Sequence, residues 1–199
     1  MNTIKPTFKV LALAAAFALL AGCNTISRDT ESSSMIIIQS ITGTTVEGET
    51  VAYLQSDVLD SDGLVRVSNA TANIIIRLVN PNPIDGPSQF NDVVLTNYRV
   101  TYELPTGPGS PGVDVPMPFD GTFSTVLCAV DSTTSVPFVA VLEAAKQAAP
   151  LVGLIGTATV LERRAKIEIF GHDLTDHPVT ATGYLQIFFA DYQTAAPIR

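Results

Sequence analysis

The sequence has few of the residue types that build disulfides, metal centres or aromatic binding platforms. Its 199 residues include two cysteines, two histidines and no tryptophan. Two cysteines cannot form the dense disulfide framework of small secreted domains. A glycine-rich phosphate loop, a Gly-x-Ser-x-Gly nucleophile elbow and a Cys-x-x-Cys pair are also absent from the sequence. We therefore expect a protein that is not an enzyme and that carries no cofactor.

Basic residues are scarce as well. Lysine and arginine number 11 against 19 acidic residues, which gives a formal net charge of -8 at pH 7. Such a surface repels phosphate backbones and anionic lipid head groups. We expect no nucleic-acid partner, and we expect any membrane contact to come from something other than a basic patch.

The amino terminus has the order of an export signal. Lys5 and Lys9 flank an almost wholly apolar run from 10 to 20, and small residues follow it in Leu20-Ala21-Gly22-Cys23. The run is shorter than the ~20 apolar residues that a membrane-spanning helix needs. The segment therefore indicates a cleaved signal rather than a membrane span.

The Leu-Ala-Gly-Cys ending resembles a bacterial lipoprotein signal. The resemblance implies a signal peptide over 1–22, cleavage between Gly22 and Cys23, a diacylglycerol on the Cys23 sulfur and acylation of the new amino terminus. Two or more acyl chains give stable membrane attachment. Because Asn24 rather than Asp follows the cysteine, the resemblance implies a lipid-anchored protein of the cell envelope, at the outer membrane. Cleavage would lower the basic count from 11 to 9 and the charge from -8 to -10.

The remaining chain divides into a short tether and one domain. Residues 23–34 are polar and poor in bulky apolar side chains, as in a flexible lipid tether. Residues 35–199 are enough for a single domain with its own core.

The domain is predicted to be all-β, because Val, Ile, Thr, Phe and Tyr dominate and Gly, Pro, Asn and Asp interrupt them at short intervals. The clearest of about eight strands is 93–104, where Tyr98, Val100 and Tyr102 alternate with polar residues. The other predicted strands are 36–42, 50–56, 72–79, 122–130, 157–162, 164–170 and 182–189.

Three other segments lead to separate predictions. Helical spacing of apolar residues over 138–149, followed by Pro150, predicts one short helical connection. The Pro- and Gly-rich stretch 104–119 is either a recognition loop or a long connection across one end of a sandwich. Cys128 lies in an apolar strand with no basic neighbour in sequence, so we expect a buried structural thiol.

Asn80-Pro81-Asn82 follows the apolar strand 72–79, and an alternating strand, a Ser/Thr-rich segment from 132 and a final apolar hairpin come after it. This order resembles the water-stress (WHy-type) late-embryogenesis-abundant domain over about 45–190. The resemblance implies an immunoglobulin-like β-sandwich and a possible desiccation-protective role. The segments 90–95 and 113–121 also resemble those of a group of poorly characterised bacterial lipoproteins.

Two acidic clusters are the candidate metal sites. His172, Asp173, Asp176 and His177 place four possible ligands within six residues, and imidazole with carboxylate suits zinc or a related divalent ion. The alternative is a hairpin turn whose polar residues lie in water.

Asp57, Asp60 and Asp62, followed by Gly63, could bind calcium, although position 12 of such a loop is Thr71 instead of Glu. The alternative there is an ordinary acidic turn.

The function that the sequence favours is a non-enzymatic, lipid-anchored envelope protein that has a structural role or binds a partner protein through loops or a strand edge. A divalent-metal-binding module or hydrolase that uses the 172–177 loop is the first alternative. A stress-protective domain is the second.

Overall fold

The computed structural model describes residues 31–80 and 86–194. Within these residues the chain forms ten strands. They are β1 (Ser34–Thr44), β2 (Thr50–Val51), β3 (Tyr53–Asp57), β4 (Ser68–Leu78), β5 (Val93–Leu104), β6 (Gly107–Pro108), β7 (Phe119–Cys128), β8 (Thr133–Val141), β9 (Leu161–Asp173) and β10 (Pro178–Ala190). One helical turn, α1 (Glu143–Lys146), and the 3-10 turns Gln89–Asn91 and Leu151–Leu154 complete the described elements.

The strands form two sheets that pack against each other, so the predicted all-β sandwich is confirmed. The smaller sheet has the order β2-β1-β4-β8, and the larger has the order β3-β10-β9-β5, with β6 and β7 both pairing with β5. Neighbouring strands are antiparallel except for β3, which runs parallel to β10. A register shift between Ile38 and Ser40 bends β1 along β4.

Strands from both sheets supply the core, and most of their side chains alternate between buried and exposed, although Ile74, Ile75 and Ile76 of β4 are all buried. Ile74 and Ile76 of β4 and Ile167 and Ile169 of β9 are fully buried members of this one core. Each such side chain contributes roughly 1.5–3 kcal/mol by leaving water. Tyr98 packs its ring against those of Phe119, Phe123 and Phe138 at the open side between β7 and β8.

The predicted helix is shorter than expected. Residues 138–141 belong to β8, where Val136, Phe138 and Ala140 are buried on one face, and only Glu143–Lys146 is helical. Alternation with β-branched residues outweighed the helix-forming alanines here. The predicted strand over 157–162 is also wrong except at its end, because Thr157 belongs to a turn bonded to Leu154 and β9 begins at Leu161.

Register fixes which connections share an end of the sandwich. Ser32 to Ser34 lead into β1 at one end, together with the connections β4–β5, β7–β8 and β9–β10; we name this the tether end. The connections β1–β2, β3–β4, β5–β7 and β8–β9 lie at the opposite end, which we name the loop end. Strands of up to 13 residues separate the two ends by about 40 Å.

Candidate functional site

The predicted metal-binding loop is the β9–β10 turn at the tether end, and Asp173 is its centre. Asp173 is 1% exposed. Its Oδ1 accepts hydrogen bonds from Thr175 N at 2.9 Å, Thr175 Oγ1 at 2.6 Å and His177 N at 3.0 Å. Its Oδ2 accepts one from Ser32 Oγ at 2.7 Å. The carboxylate therefore caps the turn and ties it to the start of the domain.

These hydrogen bonds decide the charge of Asp173. Burial by itself raises the pKa of the carboxyl, but the bonds from Thr175, Ser32 and His177 outweigh burial and lower the pKa to about 2. Asp173 is therefore ionised at any physiological pH, and its charge is satisfied within the protein.

The four candidate ligands do not converge on one point. His177 Nδ1 lies 3.4 Å from Asp173 Oδ2. His172 Nδ1 lies 2.9 Å from the Asp173 carbonyl oxygen and 3.5 Å from Asp176 Oδ1, while His177 Nδ1 lies 2.7 Å from Thr175 Oγ1. No group of three or more His, Cys, Asp or Glu side chains in residues 31–80 and 86–194 could hold a metal ion. What the turn assembles is a hydrogen-bonded cap that the sequence pattern did not reveal.

The last residues of the predicted tether are fixed beside this cap. Ser34 is buried and donates from Oγ to the Asn91 carbonyl at 2.6 Å, and Asn91 Nδ2 donates to Ser33 Oγ at 2.7 Å. Val79 N donates to the Ser33 carbonyl at 2.8 Å. Three consecutive small polar residues thus join the chain to the tether end through three different segments. Gly22 and Cys23 lie outside the described residues.

The candidate calcium turn at the loop end uses its carboxylates internally. Asp60 Oδ1 accepts from Asp62 N at 3.0 Å and Leu64 N at 2.8 Å, and Asp60 Oδ2 pairs with the Arg66 guanidinium. The Leu64 and Arg66 hydrogen bonds lower the pKa of Asp60. Asp57 instead accepts from Tyr192 N at 3.2 Å, and burial raises its pKa. Asp60 and Asp62 therefore share Arg66, whose Nη2 lies 3.4 Å from Asp62 Oδ2, while Asp57 makes a separate contact.

A cavity of about 460 Å³ opens beside this turn, and sequence reasoning missed it. Its lining includes Asp57, Arg66, Ser68, Lys146 and Tyr192. Lys146 is only 2% exposed and donates from Nζ to the Asp57 carbonyl at 2.6 Å and to Ser68 Oγ at 2.9 Å. Burial lowers the pKa of Lys146 to about 8, despite opposing attraction from Asp57, Glu143 and Asp60.

No local signal could have identified this lysine. In the sequence Glu143-Ala-Ala-Lys146 has the spacing of a solvated helical ion pair. Its burial depends on Asp57 and Ser68, which lie 89 and 78 residues away in the chain.

The remaining cysteine behaves as predicted. Cys128 is a free, fully buried thiol at the end of β7, and burial raises its pKa. A raised pKa keeps the sulfur protonated and unreactive.

Among the described residues, no helix has the length and apolar character to cross a membrane. Comparison of the chain with protein-family models, with curated proteins and with solved structures found no match.

Proposed function

We propose that the protein is a lipid-anchored component of the cell envelope that binds a partner protein through its loop end, and that this binding role involves no catalysis. The anchor is the acylated Cys23, and the outer membrane is the proposed location. The observation that carries the proposal is the opposition of the two ends, because the chain joins the domain at one end and three of the four longest connections, 58–67, 105–118 and 142–160, lie at the other.

The short link between the anchor and the domain supports this orientation. Eight residues, 24–31, separate Cys23 from Ser32, where fixed contacts begin. Eight residues span at most ~28 Å when fully extended. The tether end would stay within that distance of the lipid, and the loop end would extend farther from it.

Exposed apolar side chains at the loop end support partner binding. Leu64, Val113, Met117 and Ile155 come from three separate connections and are 41–69% exposed. Exposed apolar side chains are found at interaction surfaces, and we propose that these four belong to one. The charge on the rest of the surface favours solubility over nonspecific contact.

The edge of the smaller sheet is less suited to binding a strand. β8 is one of its two edge strands, and Pro137 in the middle of β8 has no N–H to donate. The Val139 N–H already donates to the Tyr98 hydroxyl at 3.1 Å. A blocked edge favours the loops over strand addition as the binding surface.

The fold subtype is also a proposal. We propose that the sandwich is immunoglobulin-like and of the WHy type, and the support is the strand order and the apolar final strand β10. Pro81 and Asn82 of the motif lie outside the described residues.

Palmitate labelling tests the anchor. Cys23→Ala should remove label from the protein and leave an unprocessed precursor, whereas Cys128→Ala should be labelled and processed like the wild type. Normal labelling of Cys23→Ala would contradict the proposal.

Affinity capture from crosslinked envelopes tests the binding surface. The loop-end variant Val113→Glu/Met117→Glu should lose a stoichiometric partner that the wild type retains. The tether-end variant Val79→Glu/Leu174→Glu, altered at comparably exposed sites, should keep it. Loss of the partner from the tether-end variant alone would place the binding surface at the tether end and contradict the proposal.

A further inference from the structure

Three hydroxyl and amine groups form a continuous chain beside the loop-end cavity. Ser68, the first residue of β4, has its Oγ 2.9 Å from Lys146 Nζ and 3.0 Å from Ser56 Oγ. Ser56 in β3 is fully buried, whereas Ser68 is partly exposed and lines the cavity. A ligand in the cavity would therefore reach the Ser68 hydroxyl beside Lys146, with Ser56 behind it.

The environment of Lys146 is unusual for a purely structural lysine. Lysine is almost never fully buried unless a carboxylate pairs with it. Here the hydrogen-bond acceptors of Nζ are a carbonyl and a hydroxyl, and no ion pair joins Lys146 to a carboxylate of the described residues. Burial lowers the pKa of Lys146 to about 8, so the neutral amine is populated close to neutral pH.

We propose that Ser68 is a nucleophile that accepts acyl groups from small esters, with Lys146 as its general base and Ser56 as a positioning residue. A serine is a weak nucleophile until an adjacent base takes its proton, and a lysine serves as that base in Ser-Lys hydrolases. The inference does not rest on the lipid anchor, and it adds a chemical activity to the proposed binding role.

The reaction balances with water as the second substrate. Neutral Lys146 Nζ takes the Ser68 hydroxyl proton as Oγ forms a bond to the ester carbonyl carbon. The bond from that carbon to the leaving alcohol oxygen breaks, and the Lys146 ammonium returns the proton to the departing alkoxide. A water molecule then gives its proton to Lys146 and attacks the acyl-Ser68 ester, and the proton passes to Ser68 Oγ as the carboxylic acid leaves.

The cavity sets the substrate class. Its volume of about 460 Å³ lies within the range of small-molecule sites. Two aspartates and Arg66 line it beside the neutral amine of Lys146 that the mechanism uses, with apolar surface from Val46 and Val67. The acidic balance and the mixed walls favour a small neutral ester over a strongly anionic one.

Labelling of the full chain, extracted in mild detergent, with an alkyl fluorophosphonate tests the proposal. Wild type should be labelled on Ser68, as located by peptide mass spectrometry, and Ser68→Ala should lose the label. Ser61→Ala is the matched control, because Ser61 lines the same cavity and does not bond to Lys146, and it should label like the wild type. Lys146→Met should lower the labelling rate by roughly 100-fold, the size of a lost general base.

The pH dependence of wild-type labelling provides a second test that needs no lysine variant to fold. The rate, corrected for Ser68→Ala, should rise from pH 6.5 to 9 with a midpoint near 8. The other charged or titratable groups around Lys146 are Asp57, Asp60, Glu143, Arg66 and Tyr192. Burial raises the pKa of Tyr192, which moves its titration away from this range.

Three results would overturn the proposal. They are the absence of labelling at every pH, equal labelling of Ser68→Ala and wild type, and a labelling rate that does not change between pH 6.5 and 9.

Discussion

Each end of the sandwich buries an ionisable side chain, but one environment favours the charged form and the other disfavours it. At the tether end, four hydrogen bonds meet on Asp173 and lower its pKa to about 2, so its charged form is the favoured one. At the loop end, Lys146 is equally buried, but burial lowers its pKa to about 8, so its charged form is disfavoured. One end buries a charge that stabilises the fold, and the other buries a charge that costs stability.

This difference distinguishes a structural site at the tether end from the site of the proposed activity at the loop end. No buried side-chain nitrogen or oxygen of residues 31–80 and 86–194 lacks a hydrogen-bond partner, so the fold satisfies its polar groups throughout. Lys146 has hydrogen-bond acceptors for its amine, but its buried charge has no carboxylate of the described residues in an ion pair with it. Proteins retain such costs mainly at functional sites.

The largest predicted effect is at the tether end. Asp173→Ala leaves the donors on Ser32, Thr175 and His177 without their acceptor, and we expect the free energy of unfolding to fall by about 3 kcal/mol. Urea unfolding of the full chain measures the change. Asp176→Asn, at a side chain that is 94% exposed, should leave stability within about 0.5 kcal/mol of the wild type, because Asn tolerates the positive φ of this position. An equal decrease in the free energy of unfolding in both variants would show that the Asp173 hydrogen bonds do not stabilise the fold more than an exposed aspartate does.

The second-largest predicted effect is at the loop end, where the titration of Lys146 makes the free energy of unfolding depend on pH. The pKa of Lys146 is about 8 in the folded state and 10.5 for an ordinary lysine. Above pH 8 the folded state releases this proton before the unfolded state does, so stability should rise with pH. From pH 7 to 9.5 the gain is about 2 kcal/mol.

Lys146→Met provides the control for that pH dependence. The difference in unfolding free energy between wild type and Lys146→Met should change across pH 7 to 9.5, since the methionine cannot titrate. Working below pH 10 avoids Tyr98, Tyr102 and Tyr192, whose pKa values burial raises. A difference that is constant with pH would mean that Lys146 is not electrostatically strained.

The smallest effect tests the link between the tether and the cap. Ser32→Ala removes one hydrogen bond to the ionised Asp173 and should lower the unfolding free energy by about 1 kcal/mol. Ser61→Ala, at an exposed loop-end serine, should change it by less than about 0.5 kcal/mol. An unaffected Ser32→Ala protein would indicate that the domain does not depend on the start of its chain.

Sequence reasoning was accurate where one periodicity dominated. The alternation of Tyr98, Val100 and Tyr102 predicted β5 with its observed bounds, Val93–Leu104. It failed over 138–141, where apolar spacing fits a helix and a strand equally well and pairing with β4 decides the outcome. Local pattern cannot include the partner strand, so such segments stay ambiguous.

Neither end's key contact could be predicted from the sequence. The Ser32–Asp173 hydrogen bond joins residues 141 positions apart, and the Lys146–Ser68 bond joins residues 78 apart. The residue type of Asp173 suits a metal ligand. In the folded turn, however, its carboxylate oxygen accepts hydrogen bonds from backbone N–H groups, and the sequence does not show that geometry. Ser68 had no distinguishing neighbour in the sequence.

The distance of each end from the bilayer tests the central claim most directly. A fluorescent donor would be placed on Leu174→Cys at the tether end or Val113→Cys at the loop end, in lipidated protein bound to vesicles with acceptor-labelled head groups. Cys128 is buried, and the account has Cys23 acylated, so the introduced thiol is the one that reacts. We predict stronger energy transfer from position 174 than from position 113, in keeping with ends that lie about 40 Å apart. Equal transfer, or stronger transfer from position 113, would contradict the account.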